Sequence, residues 1–432
     1  MLAVPVATDK THLLRDFQAA FDGFMEIIQP INRDPINSED LCLQHPLYPE
    51  ANSGKWHLGH ALGWYWERFV LSKFSQGGYR SSNESIFNLY NYNSSHQVTD
   101  PLWSRNQHGW LRPRVDEVKN YVAEVRQRVI ELLDSFDKQS QCWQYTVLPS
   151  IILGIQHIYQ HQEMMLADLL LVSSCDPTPM VYAHLVKYCV PSQPIQANHL
   201  IRHRIEEGTY EVGSDAQGPP FIDSRFCWDN ELSRHEQVVA ECQIAQYLVT
   251  NRQYKKFIDD GGYGNPRYWS TRGFDFIQRN NIGAPLYWQA DGSSWLLRSF
   301  AGIEALDPLQ PVCNVSKYEA AAYASWVKKT GSAHGSLGTR LPTEVELEIS
   351  AEHLHNFHGH VWQWTASPYA LYPKHKAFQL AEMDEHNRNS DGTVVLRGSS
   401  MATPQKPSST FRYLRHPATR TQFAGIRLAI DC

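Results

Sequence analysis

The stretch HIYQHQE, residues 157–163, sets His157 and His161 four residues apart. On a helix of about 3.6 residues per turn such a pair stands on one face, one turn above the other, and can offer two imidazoles to one metal ion. A second histidine-bearing stretch, KWHLGH at 55–60, can supply His57 or His60 from another element. Neutral imidazole nitrogens suit Zn(II), Fe(II), Cu and Ni about equally, so the donor set leaves the metal open. A histidine pair at this spacing also occurs as an ordinary structural pair. The further histidine on a second helix favours the metal reading, because facing helices of a bundle assemble metal sites in their shared core. Glu163 lies two residues beyond His161, on another part of the helix face, and reads as a carboxylate orienting an imidazole from behind rather than as a ligand, with a solvated surface glutamate as the alternative.

The elements that must position these residues are legible as periodicity. Apolar residues recur at spacings of three and four over 11–31, 54–74, 115–136 and 149–172, which predicts four amphipathic helices and, most economically, a four-helix bundle. The connection at 75–114 is too long for a simple turn and is a candidate functional loop. After SSCDPTP at 173–179 the pattern changes to short strand-like pieces and Gly/Pro/Asn turns, with a helical piece at 316–331. The reading is therefore multidomain: an α bundle over 1–175, a linker over 176–195 and an irregular α+β domain over 196–432. Thirteen tryptophans and twenty-one tyrosines, many beside Gly, Pro or Asn, suggest loops pinned by aromatic side chains.

Composition narrows the function classes. The formal charge is -6 and there is no lysine or arginine block, so a nucleic-acid partner has no electrostatic footprint. The first residues are too short and weakly apolar for a signal peptide, and no apolar run reaches the ~18 residues of a membrane span; the expectation is a soluble, cytoplasmic protein with no membrane or obligate protein partner. Eight cysteines with no CxxC pair read as reduced thiols.

In order along nearly the whole chain, KWHLGH, HIYQHQE, DNELSRHEQVV (229–239), VTNRQYKKFIDDGGY (249–263), GTRLPTEVELE (338–348), GHVWQWTASPY (359–369), VLRGSSMATP (395–404) and QFAGIRLA (422–429) resemble the ergothioneine-biosynthesis sulfoxide synthases. That resemblance implies a DinB-like four-helix bundle joined to a formylglycine-generating-enzyme-like domain of C-type-lectin-like fold. It also implies Fe(II) held by His60, His157 and His161, O2 as co-substrate, and a chalcogen donor joined to C2 of the imidazole of hercynine. Gln160 matches the family glutamine that contacts hercynine; its neutral amide can hold the substrate by hydrogen bonds.

The departures from the family bear on the donor and on proton transfer. Where members read FNSYYEAVG, this chain reads YNSSHQVTD at 92–100, so Ser95 and His96 replace the tyrosine pair expected near the metal-bound oxygen. Tyr90, Tyr92 and His96 are the remaining candidates for proton transfer. Two family arginines that hold γ-glutamylcysteine align with SRNQHG at 104–109, leaving Arg105 but giving His108. The family's RNWDxPxR falls on RYLRHPAT at 412–419, so an aspartate becomes Arg415 and an arginine becomes Thr419, with Tyr413 beside them. Exchanging an ammonium-binding carboxylate for a cation reverses the local preference. A related branch uses a selenosugar on the way to selenoneine, and loss of the charged clamp fits such a neutral polyhydroxylated donor; cysteine or γ-glutamylcysteine is the alternative. A scaffold without activity, a zinc hydrolase and a formylglycine-generating oxidase are the rival classes. The last needs a reactive cysteine pair, and RGSSMATP at 397–404 has no cysteine. The glutamates of RLPTEVELE at 340–348 read as a turn and helix start rather than as catalytic groups, and His353, His355, His358 and His360 as loop residues.

Overall fold

The computed structural model describes residues 4–5, 10–28, 52–75, 77–83, 86, 113–135, 141–174, 182–190, 202–217, 225–331, 338–378 and 392–432. Each of the four apolar stretches carries a helix: α1 is Lys10–Ile28, α2 spans 54–74, α3 is Val115–Ser135 and α4 is Leu148–Ser174. In α1 the buried positions Phe17, Ala20, Phe21, Phe24, Ile27 and Ile28 repeat at three and four, and this stripe faces the bundle core. The α2–α3 approach is close: a Cβ built on Gly63 would lie 2.3 Å from Tyr121 Cε1.

The helices depart from regular α geometry where the chemistry sits. Over Leu58–Trp64 and again over Glu67–Leu71, α2 widens to π turns, with Tyr65 N–H donating to His60 O and Ser72 N–H to Glu67 O. Such turns are rare and concentrate at functional sites. Here Trp66 Nε1–H, at 3.1 Å, satisfies the carbonyl of Ala61 inside the widened turn. A third π turn, Trp143–Val147, precedes α4 and takes up Pro149, whose ring has no N–H to give an ordinary turn.

The strands that follow form an α+β arrangement. One antiparallel sheet runs in the order Thr339–Arg340, Ala429–Asp431, Cys242–Ala245, Arg202–Ile205. A second runs Tyr413–Arg415, Val394–Gly398, Trp362–Pro368, Ala424–Gly425, the last pairing being parallel. The glutamates of RLPTEVELE are structural, as the sequence suggests. Thr343 caps the helix Glu344–Ser350 in a capping box with Glu346. Glu344 meets Arg397 at 2.9 Å and Arg412 at 2.8 Å, while Glu348 meets Arg397 at 2.8 Å. Burial alone would raise the Glu344 carboxyl, but the two arginines hold it below the ordinary range.

Contacts among the described residues tie the N-terminal part of the chain to the later strands and loops. Val4–Pro5 pairs antiparallel with Arg225–Phe226, Tyr182 N–H donates to Phe300 O at 2.8 Å, and Gln156 Nε2 donates to Gln405 Oε1 at 3.1 Å. The architecture is the expected multidomain combination of an α bundle with an α+β domain. Among the described residues no helix is long and apolar enough to cross a membrane.

Candidate metal centre and adjoining cleft

His157 and His161 share a face of α4, and the π turn of α2 brings His60 against them. One nitrogen from each lies within 4.8 Å of the others, and all three side chains are buried. The ring centroids are 5.2 Å apart for His60–His157, 4.9 Å for His60–His161 and 4.4 Å for His157–His161. Burial, reinforced by neighbouring His157 and His57, pushes the pKa of His60 well below its ordinary value. The imidazole is thus held neutral with a lone pair, and its Nδ1 has no hydrogen-bond partner among the described residues. Three clustered nitrogen donors without thiolate or carboxylate fit a divalent first-row metal ion.

The three rings are held in different ways. His60 is clamped between Trp56, stacked at 4.5 Å and 11°, and Trp64, stacked at 4.8 Å and 16°. His157 stacks on Tyr65 at 4.8 Å. His161 instead makes a hydrogen bond: its Nδ1 lies 2.9 Å from Nδ1 of fully buried His57, whose Nε2 lies 3.0 Å from Asp168 Oδ2. Of the two histidines in KWHLGH, His60 therefore joins the cluster and His57 stands behind it.

Glu163 does not orient an imidazole. Trp362 Nε1 and Ser400 Oγ each donate to its Oε1 at 2.6 Å, and Thr403 Oγ1 donates to its Oε2 at 2.8 Å. The reason is angular: two residues on an α-helix turn the side chain by about 200°, away from His161 and toward the second domain. Burial raises the pKa of this carboxyl, partly offset by the Ser400, Trp362 and Thr403 hydrogen bonds.

Gln156, Tyr159, Gln160 and Glu163, at helical spacing, line one wall of a cleft between α4 and the second domain, with Trp228, Trp362, Phe411 and Tyr413 among the residues opposite. Gln160 is on the edge of this wall nearest the histidine face, about 60° around the helix from His157. Tyr413 stacks on Trp362 at 4.6 Å, and the Arg415 guanidinium lies 4.1 Å over the Tyr413 ring. Thr419 closes a turn, its N–H donating to His416 O at 3.0 Å. Among the expected donor-side residues, Tyr413 lines the cleft, Arg415 packs behind it and Thr419 lies in the following turn. Tyr90, Tyr92, Ser95, His96, Arg105 and His108 lie outside the described residues.

Sequence reasoning missed His57 as a hydrogen-bonding partner, Asp168, and the aromatic clamps. Asp168 was accessible in principle. It lies seven residues after His161, two turns along the same face.

The sulfatase-modifying factor enzyme 1-like domain family matches residues 191–353 and 350–432. Two relatives, each named hercynine oxygenase, come from Mycolicibacterium smegmatis and Mycobacterium tuberculosis. The first is 26% identical over 92% of this chain and 95% of its own length; the second is 26% identical over 92% of this chain and 94% of its own length. Among solved structures, PvdO from Pseudomonas aeruginosa matches at 15% identity and a TM-score of 0.33, covering 56% of this chain and 99% of its own. The chain belongs to the sulfatase-modifying factor enzyme 1-like domain family, and its similarity to the hercynine oxygenases runs over 92% of its length.

Proposed function

We propose that this chain is a non-haem Fe(II)- and O2-dependent oxidoreductase that forms a carbon–chalcogen bond at C2 of the hercynine imidazole, with a selenosugar as donor. The observation that carries the reading is the buried cluster of His60, His157 and His161 beside the cleft lined by Gln160. The hercynine oxygenase relatives, aligned over 92% of the chain, support the reaction class. Fe(II) held by the three histidines would supply the redox chemistry with O2 that oxidative bond formation requires.

The remaining work falls to the chain's own residues. The Gln160 amide both donates and accepts, so it can hold a neutral imidazole without transferring a proton. The stacked Trp362–Tyr413 pair and Trp228 give the cleft apolar walls that exclude water around the bound substrate. The Glu163 carboxylate accepts three hydrogen bonds from Trp362, Ser400 and Thr403 and is turned away from His161, which is not the placement of a general base beside the metal centre. This disfavours the hydrolase alternative. The same hydrogen bonds fix α4, with its histidines and Gln160, against the second domain.

Arg415 motivates the choice of donor. It places a cation, packed on Tyr413, where the resembling enzymes carry a carboxylate. The ammonium group of cysteine or γ-glutamylcysteine would meet a like charge there, whereas a neutral polyhydroxylated selenosugar would not. The test is an aerobic competition in which Fe(II)-loaded protein and hercynine are offered a selenosugar, a thiosugar, cysteine and γ-glutamylcysteine, with adducts identified by mass spectrometry. A selenium adduct is expected. A cysteine or γ-glutamylcysteine sulfoxide would overturn the donor assignment and leave the metal centre standing. No adduct, together with no iron in the purified protein, would favour a scaffold without activity. His157→Ala should lose both iron binding and turnover; full activity in that variant would refute the site.

A further inference from the structure

We propose that Asp168 and His57 form a hydrogen-bonded relay that fixes the proton of His161 on Nδ1 and so leaves its Nε2 lone pair for the three-histidine centre. The inference rests on the metal-centre reading above. The Asp168 carboxylate can only accept, so the 3.0 Å contact to His57 Nε2 requires that nitrogen to carry a hydrogen. A neutral His57 then has its lone pair on Nδ1. At 2.9 Å from that lone pair, His161 Nδ1 must be the donor. The proton of His161 is thereby committed away from the cluster, and its Nε2 is the coordinating nitrogen.

Each member of the relay is itself anchored. The backbone N–H of Asn52 donates to the same Asp168 oxygen at 2.7 Å and holds the carboxylate in place. His57 is fully buried at the start of α2, where Ser53 Oγ accepts from Trp56 N–H at 3.1 Å and fixes the first turn. Aromatic rings clamp His60 and His157, and the relay raises the basicity of His161 through hydrogen bonds that lead to a carboxylate. Asp168 and His57 are thus positioning residues. A doubly protonated His57 would require the opposite arrangement, with the His161 proton on Nε2, facing the other two imidazoles.

The experiment is an anaerobic calorimetric titration of the full-length apoprotein with Fe(II), for the native chain and for Asp168→Ala, His57→Phe and His57→Gln. Asp168→Ala and His57→Phe should each weaken Fe(II) binding by about 10–100-fold, as loss of a partner behind a ligand does. His57→Gln should recover most of the affinity, because its amide can accept from His161 Nδ1–H and donate to Asp168. This rescue separates the hydrogen bonds from ring stacking, since Phe keeps an aromatic ring without donor or acceptor and Gln keeps both without a ring. Nitrogen-15 spectra of histidine-labelled native apoprotein, with His161 assigned by its variant, should show its hydrogen on Nδ1. Unchanged affinity in Asp168→Ala and His57→Phe, or the hydrogen on Nε2, would overturn the relay while leaving the metal centre in place. Failure of the native chain to bind Fe(II) would overturn both.

Discussion

Gly154→Ala separates tertiary packing from helix propensity at the bundle core. In an exposed helix interior the substitution should stabilise by about 0.8–1 kcal/mol, because glycine carries the larger backbone entropy cost. At this position a Cβ would lie 2.7 Å from Trp66 Cη2 and Cζ2 and 2.7 Å from Tyr65 Cε1, well inside van der Waals contact. Neither ring has room to retreat. Trp66 is tied by its Nε1–H to Ala61 O at 3.1 Å and packs edge-on against Phe17 at 4.7 Å, while Tyr65 donates to Ser150 O at 3.2 Å. Both are fully buried. Overpacking of this kind costs about 1–3 kcal/mol, and the rigid partners place it toward the upper end. Subtracting the propensity gain leaves a net loss of about 1–2 kcal/mol. Tyr65 also stacks on His157 at 4.8 Å, so the displaced ring should disturb the centre and weaken Fe(II) binding. Urea unfolding of the apoprotein, paired with Fe(II) titration, checks both effects. A variant more stable than the native chain by about 1 kcal/mol, with unchanged Fe(II) affinity, would refute the close α2–α4 packing.

Two further perturbations test the joint between the domains and a buried histidine. Glu163→Ala strands three donors, Trp362 Nε1, Ser400 Oγ and Thr403 Oγ1, and should cost about 3 kcal/mol in urea unfolding, with Glu163→Gln intermediate because it keeps an acceptor. Both variants lying within about 0.5 kcal/mol of native would sink the claim that this contact joins bundle to strands. His358, pushed down to about 3 by burial and then by Lys406, is neutral when folded but charges on unfolding below its ordinary value of 6.5. Its contribution is therefore fully present above pH 6.5 and is lost as pH falls toward 3, so the native chain should lose more stability between pH 7 and pH 4.5 than His358→Asn does. Parallel pH profiles for the two proteins would contradict that burial.

What the sequence could reveal depended on the kind of physics involved. The four helices were visible because an amphipathic stripe is a local property: Phe17, Phe21, Phe24 and Ile28 carry their own period, and the structure buries each of them. The His157–His161 pair was visible for the same reason, and so was the capped helix at Glu344–Ser350, whose Thr343 and Glu346 reciprocate. The widening of α2 was not, because no residue type dictates a π turn; the extra residue is accommodated only once Gly63 has met Tyr121 and Trp66 has capped Ala61. That widening lets one short stretch serve two purposes, with His60 entering the cluster and His57 backing His161. Glu163 was misassigned because nearness in sequence was taken for nearness in space. Its partners, Trp362, Ser400 and Thr403, lie some 200 to 240 residues away along the chain, and nothing local to HIYQHQE announces them. The carboxylate that does back an imidazole is Asp168, farther along the chain than Glu163 but on the histidine face. For a side chain on a helix, angular position around the axis decides which chemistry it can join.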